Sequence, residues 1–129
     1  MKRTDRAFVD DILIAADAIR DYVRGVAKGG FLSKRDAMVQ DAVIRQISIV
    51  GEAASKLSPS FRAKYPMIPW IQIIGMRNVV VHQYWEVNLD VVWEAATRDV
   101  PALVKRLSNV VEERARPTRR SLHRPRDRR

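Results

Sequence analysis

The residues with the chemistry to act on a substrate are concentrated in the stretch Gly75-Met76-Arg77-Asn78-Val79-Val80-Val81-His82-Gln83-Tyr84, which sets Arg, Asn, His and Tyr among aliphatic neighbours. Placing such groups in an apolar helix is costly unless they are paired or line a wet cleft. Phosphodiester cleavage without a metal needs a base for the attacking hydroxyl, a cation for the charge developing on phosphate, and a proton for the leaving oxygen. An imidazole, with an ordinary pKa near ~6.5, exchanges protons near neutral pH, and a guanidinium stays charged and offers phosphate a planar fork. Arg77 and His82 fit these tasks, and RNA brings its own nucleophile in the 2′-hydroxyl. Each residue also has a packing account: Arg77 paired with a carboxylate such as Glu52, Asn78 bonded to a neighbouring helix, His82 satisfied in a core, Tyr84 packed at a helix end.

Helix geometry constrains the catalytic account. At about 100° per residue, Arg77 and Tyr84 share a face, while His82 points roughly 140° away from Arg77. Either the helix is distorted near Val79-Val80-Val81, or long side chains converge from its edge, or a second protomer completes the cleft. A two-fold dimer, which brings two copies of the stretch together, is the favoured expectation. Asn78 lies four residues before His82, on the same helix face, and is assigned to orienting the imidazole or the phosphate.

These residues must be carried by helices. Phe8, Ile12, Ala15, Ile19, Tyr22 and Val26 recur at steps of four and three, predicting a helix over 5–28 that ends at Gly29-Gly30. Ser33, with Asp36 three residues on, predicts the cap of a second helix whose stripe runs Val39, Val43, Ile47, Val50, Ala54 and Leu57. Pro59, Pro66 and Pro69 mark a connector with one helical turn at 61–65, and Pro69 suits the first turn of a third helix over 70–84. That helix is apolar nearly all round and is expected to be the most buried. Asn88 caps a last segment reaching 113, which Pro101 kinks or restarts after Asp99. The expected fold is all-α, an antiparallel bundle of four to five helices over 1–113, dimeric.

Composition limits the alternatives. The 129 residues make one domain, and 5 Gly and 6 Pro leave little turn chemistry for an all-β fold. With 0 Cys, disulfides, thiolate metal sites and cysteine nucleophiles are excluded. No segment reads as a secretory signal or a membrane span, so a cytoplasmic location is expected. Of the net charge of +9, only +2 falls on residues 1–113, because eight Arg stand against one Asp from Arg114 to Arg129. Residues 114–129 read as a disordered, arginine-rich tail, in which Arg116, Arg119, Arg120, Arg124 and Arg126 could hold RNA backbone or an acidic partner, or simply keep the chain soluble. No metal site is expected, since Asp10 and Asp11 diverge on a helix and Asp17 and Asp21 read as solvated charge. Trp70, Trp85 and Trp93 are assigned to the core or a dimer interface.

With Arg77, four residues, His82, one residue and Tyr84, together with Gly51-Glu52-Ala53, Ile68-Pro69-Trp70 and Asp99-Val100-Pro101-Ala102-Leu103, the chain resembles the HepT-like toxins of the MntA/HepT toxin–antitoxin systems, within the HEPN superfamily of helical ribonucleases. The resemblance covers roughly residues 5–110. It implies a helical, HEPN-like homodimer acting as a metal-independent endoribonuclease toxin of a type II/VII-like module, with Arg77 and His82 catalytic. It also implies that Tyr84 is the side chain which an MntA-like nucleotidyltransferase antitoxin modifies with AMP, so that ATP serves that partner and this chain needs no cofactor. The alternative is a non-catalytic helical dimer that binds, or is modified by, such a nucleotidyltransferase. The arginine-rich tail lies outside the family pattern.

Overall fold

Apolar side chains at helical spacing organise the chain from its first helix. The computed structural model describes residues 3–78 and 88–115. His82, Tyr84, Trp85 and the arginines from Arg116 onward lie outside the described residues. Helix α1 (Arg3–Val23) buries Val9, Ile12, Ala15, Ala16 and Ile19, while Phe8 is half-buried and Tyr22 is exposed. The buried line therefore sits slightly round the helix from the one the spacing predicts. Its outer face carries Arg6–Asp10, Asp17–Arg20 and Asp21–Arg24 ion pairs at 3.0–3.4 Å, all largely solvated and so each worth only about 0.5 kcal/mol.

The expected stop at Gly29-Gly30 is corrected by the structure. α1 ends at Val23, and Gly25 makes the turn at φ +74°, a left-handed conformation that glycine adopts without a Cβ clash. Gly29 and Gly30 instead lie inside a short helix α2 (Lys28–Phe31). Ser33 does act as a cap, its hydroxyl accepting from the Arg35 amide at 3.2 Å, but of a 3-10 turn over Lys34–Asp36. The reciprocal half of a capping box is absent, since the Ser33 amide donates to the Gly30 carbonyl. Gln40 then fastens this corner by donating to the Phe31 and Ser33 carbonyls at 2.7 and 2.8 Å.

Helix α3 (Ala37–Ser55) lies along α1 and buries Val43, Ile47, Val50, Gly51, Ala53 and Ala54, with Leu57 just beyond its end. The connector holds one short helix, α4 (Pro59–Lys64), capped by Ser58, whose hydroxyl accepts from the Phe61 amide. Asp5, 2% exposed, reaches across from α1 and accepts from both the Ser58 amide (2.8 Å) and the Ser58 hydroxyl (2.7 Å). A buried carboxylate needs such partners, and here they lock the first turn of α1 to the α4 cap.

Helix α5 (Trp70–Gly75) departs from the expected long, fully buried helix. Pro69 stands just before it as the cap position, and its carbonyl accepts from the Ile73 amide. Ile73 and Met76 pack inward against α3, but Ile71 is 91% exposed, so only one face of this apolar segment is covered by the described residues. After Gly75 the backbone tightens: the Met76 and Arg77 amides reach back three residues, to the Ile73 and Ile74 carbonyls. The expectation for residues 79–84 falls outside the described residues.

Asn88 caps helix α6 (Leu89–Glu94) as expected, its side-chain oxygen accepting from the Asp90 and Val91 amides. A π-helical turn over Ala95–Asp99 follows, and α7 (Val100–Ala115) restarts there, two residues longer than the expected limit. Pro101 gives the reason for the restart, since it has no amide to continue the ladder and its ring crowds the preceding turn. α7 packs against α1 and buries Val100, Leu103, Leu107 and Val110. The result is an all-helical bundle, with no strand among the described residues. Trp70 and Trp93 both join the core margin, Trp93 at 5.1 Å from the Phe31 ring and Trp70 at 6.2 Å from Phe61. No described helix is long and apolar enough to cross a membrane.

Candidate functional site

A glycine on α3 brings the site together. An added Cβ at Gly51 would stand 2.5 Å from the Arg77 backbone nitrogen and 3.1 Å from both the Arg77 Cβ and the Ile73 carbonyl oxygen. Only hydrogen at that position lets the end of α5 lie this close to α3. The next residue, Glu52, is thereby set beside the Arg77 side chain, and Arg77 Nη1 donates to Glu52 Oε1 at 3.2 Å. The second oxygen of the same carboxylate faces another cation, with Lys56 Nζ 3.8 Å from Glu52 Oε2. Lys56 in turn lies 6.0 Å from the centroid of the Phe8 ring on α1.

The cluster is open to water. The Arg77 and Glu52 side chains are 40% and 53% exposed, so their pair adds little to stability and is not a buried strut. Its chemical meaning lies in what it leaves available. A guanidinium has five N–H donors in one plane, and among the described residues only Nη1 has a partner. The remaining edge can grip phosphate oxygens, while the backbone beneath it is fixed by the Gly51 contact. Two cations around one carboxylate leave the cluster net positive, as an anionic backbone requires.

Of the residues assigned from sequence to catalysis, its support or modification, the structure thus describes Arg77 and Asn78. Asn78 is exposed and its side chain makes no hydrogen bond to another described residue, so the interhelical bond considered for it is not seen there. His82 and Tyr84, and Arg116, Arg119, Arg120, Arg124 and Arg126, fall outside the described residues. The pairing of Arg77 with Glu52, one of the two accounts read from sequence, is present. Lys56 was not singled out, although its place four residues after Glu52 is the spacing at which a glutamate and a lysine meet on one helix face.

The cavity next to the end of α5 offers no competing phosphate site. Of about 270 Å³, it lies beside Gly75 and Met76 and is walled mainly by Ile47, Val91, Val92 and Ala95, with Gln72 and Asp99 as its polar members and no cation to hold phosphate. No group of three or more potential metal ligands gathers among the described residues. Asp10 is taken by Arg6, and Asp17 by Arg20.

Comparison with known proteins bears on this geometry. The profile of the family described as "Ribonuclease HepT-like" matches residues 12–110, the span that contains Gly51, Glu52, Lys56 and Arg77. A protein of Methanocaldococcus jannaschii described as a "Putative RNase" is 32% identical over 109 residues, covering 84% of this chain and 98% of the relative. A second, from Caldanaerobacter subterraneus subsp. tengcongensis and described in the same words, is 30% identical over 111 residues, covering 86% and 97%. The "Probable ribonuclease HepT" of Thermococcus cleftensis is 34% identical over 103 residues, covering 80% of this chain and 92% of its own. No solved structure matches the chain.

Proposed function

The chain belongs to the HepT-like ribonuclease family, and we propose that it is a metal-independent endoribonuclease acting as the toxin of a toxin–antitoxin module. The observation that carries this reading is the solvent-facing Arg77 guanidinium, held by its Glu52 pair over a backbone pinned against Gly51, with only Nη1 partnered among the described residues. Arg77 neutralises charge on the scissile phosphate, and His82 takes the proton from the 2′-hydroxyl as that oxygen attacks phosphorus. The bond to the 5′ oxygen breaks, and a proton returned through imidazole completes a 5′-hydroxyl end opposite a 2′,3′-cyclic phosphate. Asn78, exposed beside Arg77, orients the imidazole or the phosphate. Two protomers form the working unit, and their paired clefts supply the convergence that one straight helix denies Arg77 and His82.

Control follows from the same site. An MntA-like nucleotidyltransferase antitoxin transfers AMP from ATP to the Tyr84 hydroxyl, releasing pyrophosphate, and the added bulk and negative charge exclude RNA phosphate. The arginines at 116, 119, 120, 124 and 126 extend the RNA contact beyond the bundle.

The decisive experiment incubates the purified chain with RNA in excess chelator. Cleavage to cyclic-phosphate ends is expected, together with its loss in His82→Ala at unchanged melting temperature. Cleavage that chelator abolishes, or a fully active His82→Ala protein, rules the reading out. The second reading is a non-catalytic helical dimer that binds, or is modified by, a nucleotidyltransferase, with Arg77 at a contact between chains. That reading requires Arg77→Ala to lower the melting temperature or break the dimer, with no cleavage under any condition.

A further inference from the structure

We propose that Glu52 is the positioning residue for the Arg77 guanidinium, and that Lys56 is a second phosphate-binding cation of the same site; the proposal rests on the ribonuclease reading above. Glu52 does not simply neutralise Arg77. Its two oxygens face different cations, Oε1 toward Arg77 Nη1 at 3.2 Å and Oε2 toward Lys56 Nζ at 3.8 Å, so the carboxylate spaces two positive groups and leaves one charge in excess. All three side chains are about half exposed, at 40%, 53% and 54% for Arg77, Glu52 and Lys56, and so are within reach of an RNA backbone.

The two cations arrive from different directions. Lys56 follows the last residue of α3 and lies near the α1 ring of Phe8, whereas Arg77 follows α5 and is joined to α3 through Gly51. Successive phosphates of one strand can therefore meet a fork and a point charge on either side of Glu52. The Gly51 contact fixes the Arg77 backbone, but the long side chain above it keeps its rotamer freedom. Glu52 Oε1 is the one described partner that removes that freedom. An exposed pair contributes little to stability, so loss of Glu52 acts on the placement of the guanidinium rather than on the fold.

This separates positioning from cohesion in measurable terms. Without Glu52 the site gains a net positive charge, which favours RNA binding, while the guanidinium loses its aim, which slows the chemical step. The test is steady-state cleavage of a short single-stranded RNA by the full chain and by Glu52→Ala, Glu52→Gln and Lys56→Ala, with the melting temperature of each. Glu52→Ala is expected to lower kcat about ten-fold, with KM equal to or below that of the unsubstituted chain and an unchanged melting temperature. Glu52→Gln, which keeps an oxygen to accept from Arg77, is expected to recover part of that loss. Lys56→Ala is expected to raise KM more than it lowers kcat and to reduce the salt slope of RNA binding by about one.

A Glu52→Ala protein with undiminished kcat, or one whose loss of kcat tracks a fall in melting temperature, overturns the positioning role. An unchanged KM and an unchanged salt slope in Lys56→Ala overturn the second cation. Absence of cleavage by the unsubstituted chain sinks the ribonuclease reading itself and this proposal with it, whereas cleavage that is indifferent to Glu52 and Lys56 sinks this proposal alone.

Discussion

Gly51 and Arg77 meet so closely that a single added methyl group on the glycine would stand 2.5 Å from the arginine backbone nitrogen. The atoms in the way are backbone, together with a Cβ and the Ile73 carbonyl, so no flexible side chain can yield. Gly51→Ala must therefore push α5 away from α3. Alanine gains up to about 1 kcal/mol of helix preference over glycine, and overpacking costs about 1–3 kcal/mol, so we expect a net loss of about 1–2 kcal/mol. Arg77 shifts with the displaced backbone, and cleavage should fall by more than the folded fraction does. Urea denaturation alongside an RNA cleavage assay checks both, and a Gly51→Ala protein as stable and active as its parent refutes the account.

Asp5 offers a test of the fold away from that site. Its buried carboxylate accepts twice from Ser58, whose hydroxyl also caps α4 by accepting from the Phe61 amide at 3.2 Å. Asp5→Ala strips the Ser58 amide of its partner in a part-buried setting, and a loss of about 2–3 kcal/mol is expected. Asp5→Asn keeps one acceptor oxygen and should lose less. Cleavage per folded molecule should hold in both. Equal denaturation midpoints for Asp5→Ala and the parent would show that the bond network contributes nothing net.

The periodic parts of this fold were legible because burial and helical repeat coincide: Ile12, Ala15 and Ile19 in α1, and Val43, Ile47, Val50 and Ala54 in α3, are both regularly spaced and buried. Pro101 likewise announced a discontinuity, since a residue without an amide must disturb the ladder wherever it falls inside a helix. Three features were not legible. Gly25 and Gly29-Gly30 are equivalent as letters, and only the path of the chain decides which adopts positive φ. The tightening at Met76 and Arg77 follows Gly75, but a lone glycine in an apolar helical run is often tolerated, and both residues after it are good helix formers. The all-round apolar character of α5 says nothing of which face is covered, and Ile71 proves to be the open one. At the site, the opposite charges of Glu52 and Arg77 suggested a pair, but the contact that enforces it is between residues 26 positions apart in sequence, Gly51 and Arg77, and becomes visible only in three dimensions.

Trp70 explains why a large aromatic stands at the entry to α5. Its indole Nε1 donates at 3.1 Å to both the Arg62 and the Tyr65 carbonyls, which closes the end of α4, while its ring meets Phe61 edge-on. Trp70→Phe keeps much of the apolar contact and removes the donor, so we expect a loss of about 1–2 kcal/mol, confined to the connector between α4 and α5. Hydrogen exchange should report faster exchange at the Tyr65 and Ile68 amides than in the parent, with α1 and α7 unaffected. Uniform acceleration throughout the bundle would contradict a local role.

Removal of residues 116–129 tests how the arginines contribute to RNA affinity. The buried residues described in α7, ending with Val110 at 5% exposure, all remain in the truncated chain, and an unchanged melting temperature is expected. Every phosphate that the arginines neutralise in the full chain should, once they are removed, reduce the slope of log affinity against log salt by about 0.7 for a single strand. Because Arg77 and Lys56 remain, cleavage should persist at low salt, with a raised KM and a nearly unchanged kcat. If the truncated chain binds RNA with the full chain's salt slope, the arginines take no part in holding the substrate; if cleavage disappears at low salt despite an unchanged melting temperature, the tail belongs to the reaction itself and not only to the capture of RNA.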